Sequence, residues 1–132
     1  HPGGKLGAQM ATVAQLMHRD DSLPVVDVGV SMQDVLITMT AKGFGIAAVC
    51  CDGKLVGVIS DGDLRRHMHH LMDKQAGDIA SENSVTVSPN QFAAEALNIM
   101  NTRKISVLMV VDDAAAPIGI LHIHDLLRAG VA

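Results

Sequence analysis

The sequence predicts an α+β fold in which two β-α-β-β-α units pack as a pseudo-two-fold sandwich, and three observations carry that prediction. The first is repetition. Residues 55–65 and 117–127 follow one plan: an apolar run, a glycine, a second apolar run, a hydroxyl or imidazole residue, then an aspartate opening a helical stretch. Gly57 and Gly119 lie 62 positions apart, as do Asp63 and Asp125. Upstream, Met39 and Met100 lie 61 apart, as do Lys42 and Arg103, so the loop 112–117 has gained one residue. The second observation is a hairpin signal in each copy, and the third is a helix-period apolar stripe before each hairpin. A repeat spanning most of the chain predicts two half-domains packed face to face, with paired clefts between them.

Taken in order, residues 1–12 are glycine-rich, with Pro2, Gly3, Gly4 and Gly7, and read as the end of something larger. The first repeat occupies 13–72 and the second 73–132. In the first, a helical turn at 13–17 and a short strand at 23–28 precede a helix capped by Ser31. Its apolar positions Met32, Val35, Leu36 and Met39 make one face, Asp34 forms a weak capping pair, and Gly43 ends it. Ile46–Cys51 and 55–60 form a hairpin across Asp52-Gly53, a two-residue turn, and a helix over 63–71 closes the unit. The stretch 67–77 joins the copies. In the second, 85–87 is the strand, Ser88 the cap, Pro89 the first helical residue and Gln91 the capping partner. Ala93, Ala96, Leu97 and Met100 make the buried stripe, Val107–Val111 and 118–123 the hairpin, and 124–129 the last helix.

Composition narrows the function classes. The chain has 132 residues, and an apolar fraction of 48% is enough to fill a core. No apolar run approaches the ~18 residues of a membrane span, and no charged-then-apolar leader opens the chain. The expectation is a cytoplasmic protein with no membrane partner. A formal charge of −4 opposes a general nucleic-acid binder, as does the lack of Trp and Tyr, since Phe44 and Phe92 are the only aromatics. Cys50 and Cys51 are adjacent, a poor geometry for a disulfide, and read as buried small residues in a reducing compartment.

The duplicated order, with Gly57-Val58-Ile59-Ser60-Asp61-Gly62-Asp63-Leu64 at its core, resembles a CBS-domain pair, or Bateman module, over nearly the whole chain. A narrower resemblance rests on three segments: His1-Pro2-Gly3-Gly4-Lys5-Leu6-Gly7, Ser60-Asp61-Gly62-Asp63-Leu64-Arg65-Arg66, and residues 122–130. These look like the C-terminal part of the D-arabinose 5-phosphate isomerase family, in which a sugar-isomerase (SIS) domain precedes the CBS pair. That resemblance implies a pathway leading to the lipopolysaccharide sugar Kdo. It also implies that His1 matches an active-site histidine of the preceding domain. The fragment itself carries no complete catalytic constellation, so it is expected not to be an enzyme, with His1 silent.

In nucleotide-binding CBS modules a Ser or Thr, and an Asp three residues later, reach into the cleft; Ser60 and Asp63 match. A carboxylate accepts hydrogen bonds from both ribose hydroxyls, whereas helix capping is the competing role for Ser60, Asp61 and Asp63. If Asp63 serves a ligand, Asp63→Ala leaves the unliganded fold little changed. His122 replaces the hydroxyl in the second copy while Asp125 remains, so the clefts are chemically unequal. His124, placed on a strand, points away from His122. A metal at His122-Ile123-His124 lacks a third ligand. His67, His69 and His70 read as a solvated linker face. Arg103, Lys104 and Ser106 suit a phosphate or a sugar-acid carboxylate, with a cationic helix end as the alternative; the run Arg65-Arg66-His67 near the first motif is compatible with a small anion, with scattered surface charge as the alternative.

The expected function is a regulatory ligand-binding pair that senses a nucleotide or nucleotide sugar in the inter-repeat cleft. CMP-Kdo is the pathway's own candidate, and AMP or ATP the generic one for the family; no cofactor is required. The rival is a structural module whose clefts stay empty. Expected partners are the SIS domain of the same longer chain, a small anion, and a second copy. Met17, Met68, Leu71, Met72, Leu126 and Leu127 have no evident full burial within one copy, which points to a homodimer or higher homo-oligomer.

Overall fold

The computed structural model describes residues 7, 10–82 and 84–131. His1, the Pro2-Gly3-Gly4 segment and its predicted role lie outside the described residues. The elements run α1 (Val13–Leu16), β1 (Val25–Asp27), α2 (Met32–Lys42), β2 (Ile46–Cys51), β3 (Lys54–Ser60), α3 (Asp61–Arg66), and then α4 (Ala76–Ile79), β4 (Thr86–Val87), α5 (Ala93–Arg103), β5 (Val107–Val111), β6 (Pro117–His122), α6 (Ile123–Arg128). The predicted formula of helix, strand, helix, strand, strand, helix is written twice.

Each copy forms a three-stranded sheet, β1-β2-β3 and β4-β5-β6, with one parallel and one antiparallel pairing. Both antiparallel pairs slip register at matching places, between Val49 and Cys50 and between Val110 and Val111. In the first turn Asp52 and Gly53 take φ of 52° and 78°, the positive pair that a two-residue hairpin needs. The longer second loop is organised by Asp112, whose carboxylate accepts from the amides of Ala114 and Ala116 at 2.9 Å each.

Strand alternation explains the layering. Ala47, Val49 and Ile59 face α2 and α4, while Ile46 and Ala48 face the other sheet, where they meet Met109 and Ile120. In the second copy Leu108, Val110 and Leu121 face the helices. Each sheet is thus covered by helices on one side and by its twin on the other, and β2 and β5 are buried almost throughout. Cys50 belongs to this interior, and burial pushes its thiol up, with the Asp27 charge adding to the effect. Cys51, expected to be buried, is exposed at the strand end.

The packing units are not the sequence repeats. Val13 and Met17 of the first repeat sit in the core of the second copy, with Ala93, Ala96, Met100 and Leu126. Ala76 and Ile79 of the second repeat sit in the core of the first, with Met32, Val35 and Met39. The amides of Val13 and Ala14 donate to the carbonyls of Gln91 and Pro89, and those of Ala76 and Gly77 donate to Val30 and Val28. The copies therefore exchange their opening helices, and neither repeat 13–72 nor 73–132 closes a core alone.

Several boundaries differ from the sequence reading. Ser31 caps α2 as expected, accepting from the Asp34 amide at 3.3 Å, and Gly43 ends it with φ of 76°. Ser88 does not start α5: a turn closed by the Gln91 side chain on the Ser88 amide (2.8 Å) intervenes, and Phe92 takes the cap position. The helix expected over 63–71 begins at Asp61 and stops at Arg66. Met17 and Leu126 are buried, not exposed, whereas Met68, Met72 and Leu127 are 50–69% exposed.

Candidate functional site

Two clefts open between the copies, related by the internal repeat. In the first, Ser60 ends β3 and caps α3, because its hydroxyl accepts from the Asp63 amide while the Asp63 carboxylate accepts from the Ser60 amide at 2.9 Å. That carboxylate also accepts from the Ser60 hydroxyl (3.0 Å), the Ser81 hydroxyl (2.7 Å) and Arg66 Nη2 (2.5 Å). Two donors on each oxygen use the four acceptor positions of a carboxylate. Asp63 is 3% exposed. Burial alone would raise its carboxyl, but the hydrogen bonds from Ser81, Ser60 and Arg66 outweigh that and hold it below the usual carboxylate range.

Around this network lies a cavity of about 330 Å³. Ile46, Val58, Val107 and Met109 make its apolar walls; Ser60, Ser81, Ser84, Arg66 and Arg103 supply its polar groups. Arg103 arrives from the end of α5, where Lys104 takes the left-handed position (φ 57°) that Gly43 fills in the first copy. Among the described residues no carboxylate pairs with Arg103.

The second cleft, about 220 Å³, is lined by His18, Phe44, His122, His124, Asp125 and Arg128, with Gly43. Asp125 repeats Asp63: it accepts from the His122 amide (2.9 Å), Arg128 Nη2 (2.6 Å) and His18 Nε2 (2.9 Å). Burial again works to raise its carboxyl, and the His122 amide, His18 and Arg128 hold it low. Burial pushes the His122 imidazole down, and the nearby His124 pushes the same way.

Of the residues singled out from the sequence, Ser60, Asp63 and Arg103 line the first cleft, and His122 and Asp125 the second. Asp61, Arg65, Lys104 and Ser106 line neither. His124 was expected on a strand pointing away; β6 ends at His122, so His124 lies in the first turn of α6, its ring 4.5 Å from that of His122. Ser81, His18 and Arg128 were missed; Arg66, read only as part of a cationic run, does line the first cleft. Arg66 and Arg128 carry the same 62-residue spacing as the aspartates, so that signal was present. His67, His69 and His70 are exposed, and no cluster among the described residues has the donors to hold a metal ion.

Known proteins place this arrangement. The chain is 44% identical over 136 residues to the arabinose 5-phosphate isomerase KdsD of Pseudomonas aeruginosa, covering 99% of this chain and 42% of the relative. The corresponding protein of Escherichia coli K12 is 39% identical, with 41% of its length covered. The chain thus spans about two fifths of the curated relatives it matches. Among solved structures, CBSX2 in complex with AMP superposes with a TM-score of 0.79 at 29% identity, over 92% of this chain and 96% of that one. A CBS domain-containing protein of unknown function from Bacillus anthracis superposes at 0.82 with 18% identity, over 94% and 95%. The CBS domain family model matches residues 13–70 and again 76–132. The duplicated motif, the two exchanged half-domains and these matches make the chain a member of the CBS domain family, carrying two copies of the domain.

Proposed function

We propose that this pair is the regulatory part of a cytoplasmic arabinose 5-phosphate isomerase, and that its first cleft binds a nucleotide-type anion whose occupancy adjusts an isomerase domain elsewhere in the protein. The isomerase chemistry belongs to that other domain, as the partial coverage of the KdsD relatives suggests. The observation that carries the ligand reading is the first cleft itself. Its apolar walls suit a base, and its volume lies at the small end of ligand pockets. Arg103, which pairs with no carboxylate among the described residues, offers its guanidinium to a phosphate or a carboxylate. The AMP complex of CBSX2, at 29% identity, supports the class of ligand.

The geometry shifts the weight of recognition. Asp63 has its acceptor positions filled, so a ribose hydroxyl reaches it only by displacing Ser81 or Arg66. Arg103 and the remaining donors of Arg66 are the primary ligand contacts in this reading. Thermal shift with AMP, ATP, CMP and CMP-Kdo tests it. The ligand that binds is expected to stabilise the fold by ~2.7 kcal/mol at 100 times its dissociation constant. Arg103→Ala weakens that ligand by roughly 10- to 150-fold while the unliganded melt stays put. No shift with any of the four, or unchanged affinity in Arg103→Ala, sinks the assignment.

The module also self-associates in this reading. Met68, Met72 and Leu127 remain exposed and supply apolar side chains for such a contact. Light scattering at roughly 100 μM is expected to show a closed dimer or a multiple of it; a monomer overturns the expectation.

A further inference from the structure

The second cleft is where the chain departs furthest from its own repeat. His122 stands where the first copy has Ser60. His18, bridged to Ile120, stands where Ser81, bridged to Val58, crosses the first copy. Two hydroxyls have become two imidazoles, and His124 adds a third beside Arg128. The ring of His18 leans on Phe44 at 5.2 Å, which fixes one wall.

The charges that face this space come from few places. His122 ends β6, while His124, Asp125 and Arg128 belong to α6, and His18 follows α1. Gly43 and Phe44, between α2 and β2, bring no charge. Lys42 is turned away to the Asp21 carbonyl, Arg19 to the Ala14 carbonyl, and neither Asp20 nor Asp21 lines the cleft. With neutral imidazoles Arg128 and Asp125 balance, so every proton taken up by a ring adds a positive charge that nothing here cancels. Asp125 is already occupied by His18, Arg128 and the His122 amide.

One hydrogen bond sets the state of the His122 ring. The His124 amide donates to His122 Nδ1 at 3.1 Å, which makes that nitrogen an acceptor and puts the proton of the neutral ring on Nε2. Protonating Nδ1 turns the acceptor into a donor and leaves two N–H groups facing each other. An anionic oxygen that accepts from both relieves the conflict, and the guanidinium of Arg128 is at hand for a second oxygen. We propose that the second cleft is a proton-coupled oxyanion site, which binds a tetrahedral phosphate- or sulfate-like group through His122, His124 and Arg128 with affinity that rises as pH falls. This is a different chemistry from the pH-insensitive guanidinium recognition proposed for the first cleft, and it stands or falls separately.

Sulfate is the probe, because its own charge is constant from pH 6 to pH 8. Imidazole resonances followed by NMR during sulfate titration are expected to move for His18, His122 and His124 and to stay for His67, His69 and His70. The affinity is expected to fall by about tenfold per pH unit for each proton coupled to binding. His122→Asn keeps an acceptor for the His124 amide but cannot titrate, so it flattens the pH profile, and Arg128→Ala weakens binding at every pH. At pH 6, comparing inorganic phosphate with ribose 5-phosphate tells a free oxyanion from a phosphorylated sugar, and tighter binding of either supports the site. Sulfate affinity equal at pH 6 and pH 8, or shifts confined to the linker histidines, overturns it. Either result leaves nucleotide binding in the first cleft untouched.

Discussion

Gly57→Ala is expected to destabilise the fold by roughly 3 kcal/mol, because a methyl group there has nowhere to go. A Cβ on Gly57 lies 2.5 Å from the Ser81 carbonyl oxygen and 3.1 Å from its carbon, and 3.2 Å from the Ala80 side chain. These are mostly backbone atoms of the segment that leaves the exchanged helix α4. That segment is tied to β3 by reciprocal hydrogen bonds between Val58 and Ser81, at 2.9 and 3.3 Å. Relief therefore means lifting the crossing off the strand, which loosens α4 from the first core and moves Ser81 away from Asp63. A fall in Tm of about 10 °C corresponds to that energy for a chain of this size. The repeat supplies its own control. For a Cβ on Gly119 the three nearest atoms all belong to the Met17 side chain: its sulfur, its Cγ at 2.9 Å and its Cβ at 3.2 Å, the first two of which move with a change of rotamer. Met17 has rotamers to spare, so Gly119→Ala is expected to cost about 1 kcal/mol. Melting curves of the two variants decide it: equal, small shifts overturn the claim that the backbone crossing is what demands Gly57.

That crossing also marks where the sequence stops being legible. Elements set by neighbours in the chain were readable: the Asp52-Gly53 turn, the Ser31 cap, the Gly43 stop and the four hairpin strands all follow from local chemistry. So was the doubling of the fold, from the 62-residue spacing of Gly57 and Asp63 with Gly119 and Asp125. The exchange of α1 and α4 was not, since Val13 and Ala76 have the same apolar character whichever core receives them. The site inherits that limit. Ser81 reaches Asp63 from 18 residues away, and His18 reaches Asp125 from 107, so no motif window contains either pair. Arg66 and Arg128 carry the repeat spacing too, so their place beside the two aspartates was legible in the sequence. His124 was misplaced because a helix that starts one residue earlier turns a strand's alternation into a helix's first turn, and brings two imidazoles to one side.

Asp63→Ala is expected to lower the stability of the unliganded protein by about 3 kcal/mol, a Tm fall of roughly 10 °C, reversing the small effect that a free ligand-facing carboxylate implies. The substitution removes a helix cap and takes the acceptor from the half-buried Ser60 amide and hydroxyl, while the exposed Ser81 hydroxyl and Arg66 guanidinium lose their bonds to Asp63 and turn to water. Asp63→Asn keeps one acceptor oxygen and the shape, so about half the loss is expected. The pH dependence follows in sign. The folded carboxyl lies below its unfolded value near 4, so the unfolded chain binds the proton more readily. The stabilisation is complete above that unfolded value and disappears as pH falls through the folded one. Wild type therefore loses more stability on acidification than Asp63→Asn, although Asp125, held low in the same way, still contributes in both. Denaturant melts at neutral pH and near pH 3 measure the difference. If Asp63→Ala melts like wild type at neutral pH, the carboxylate is not committed to the fold, and the ribose contact that its position first suggested returns as its role.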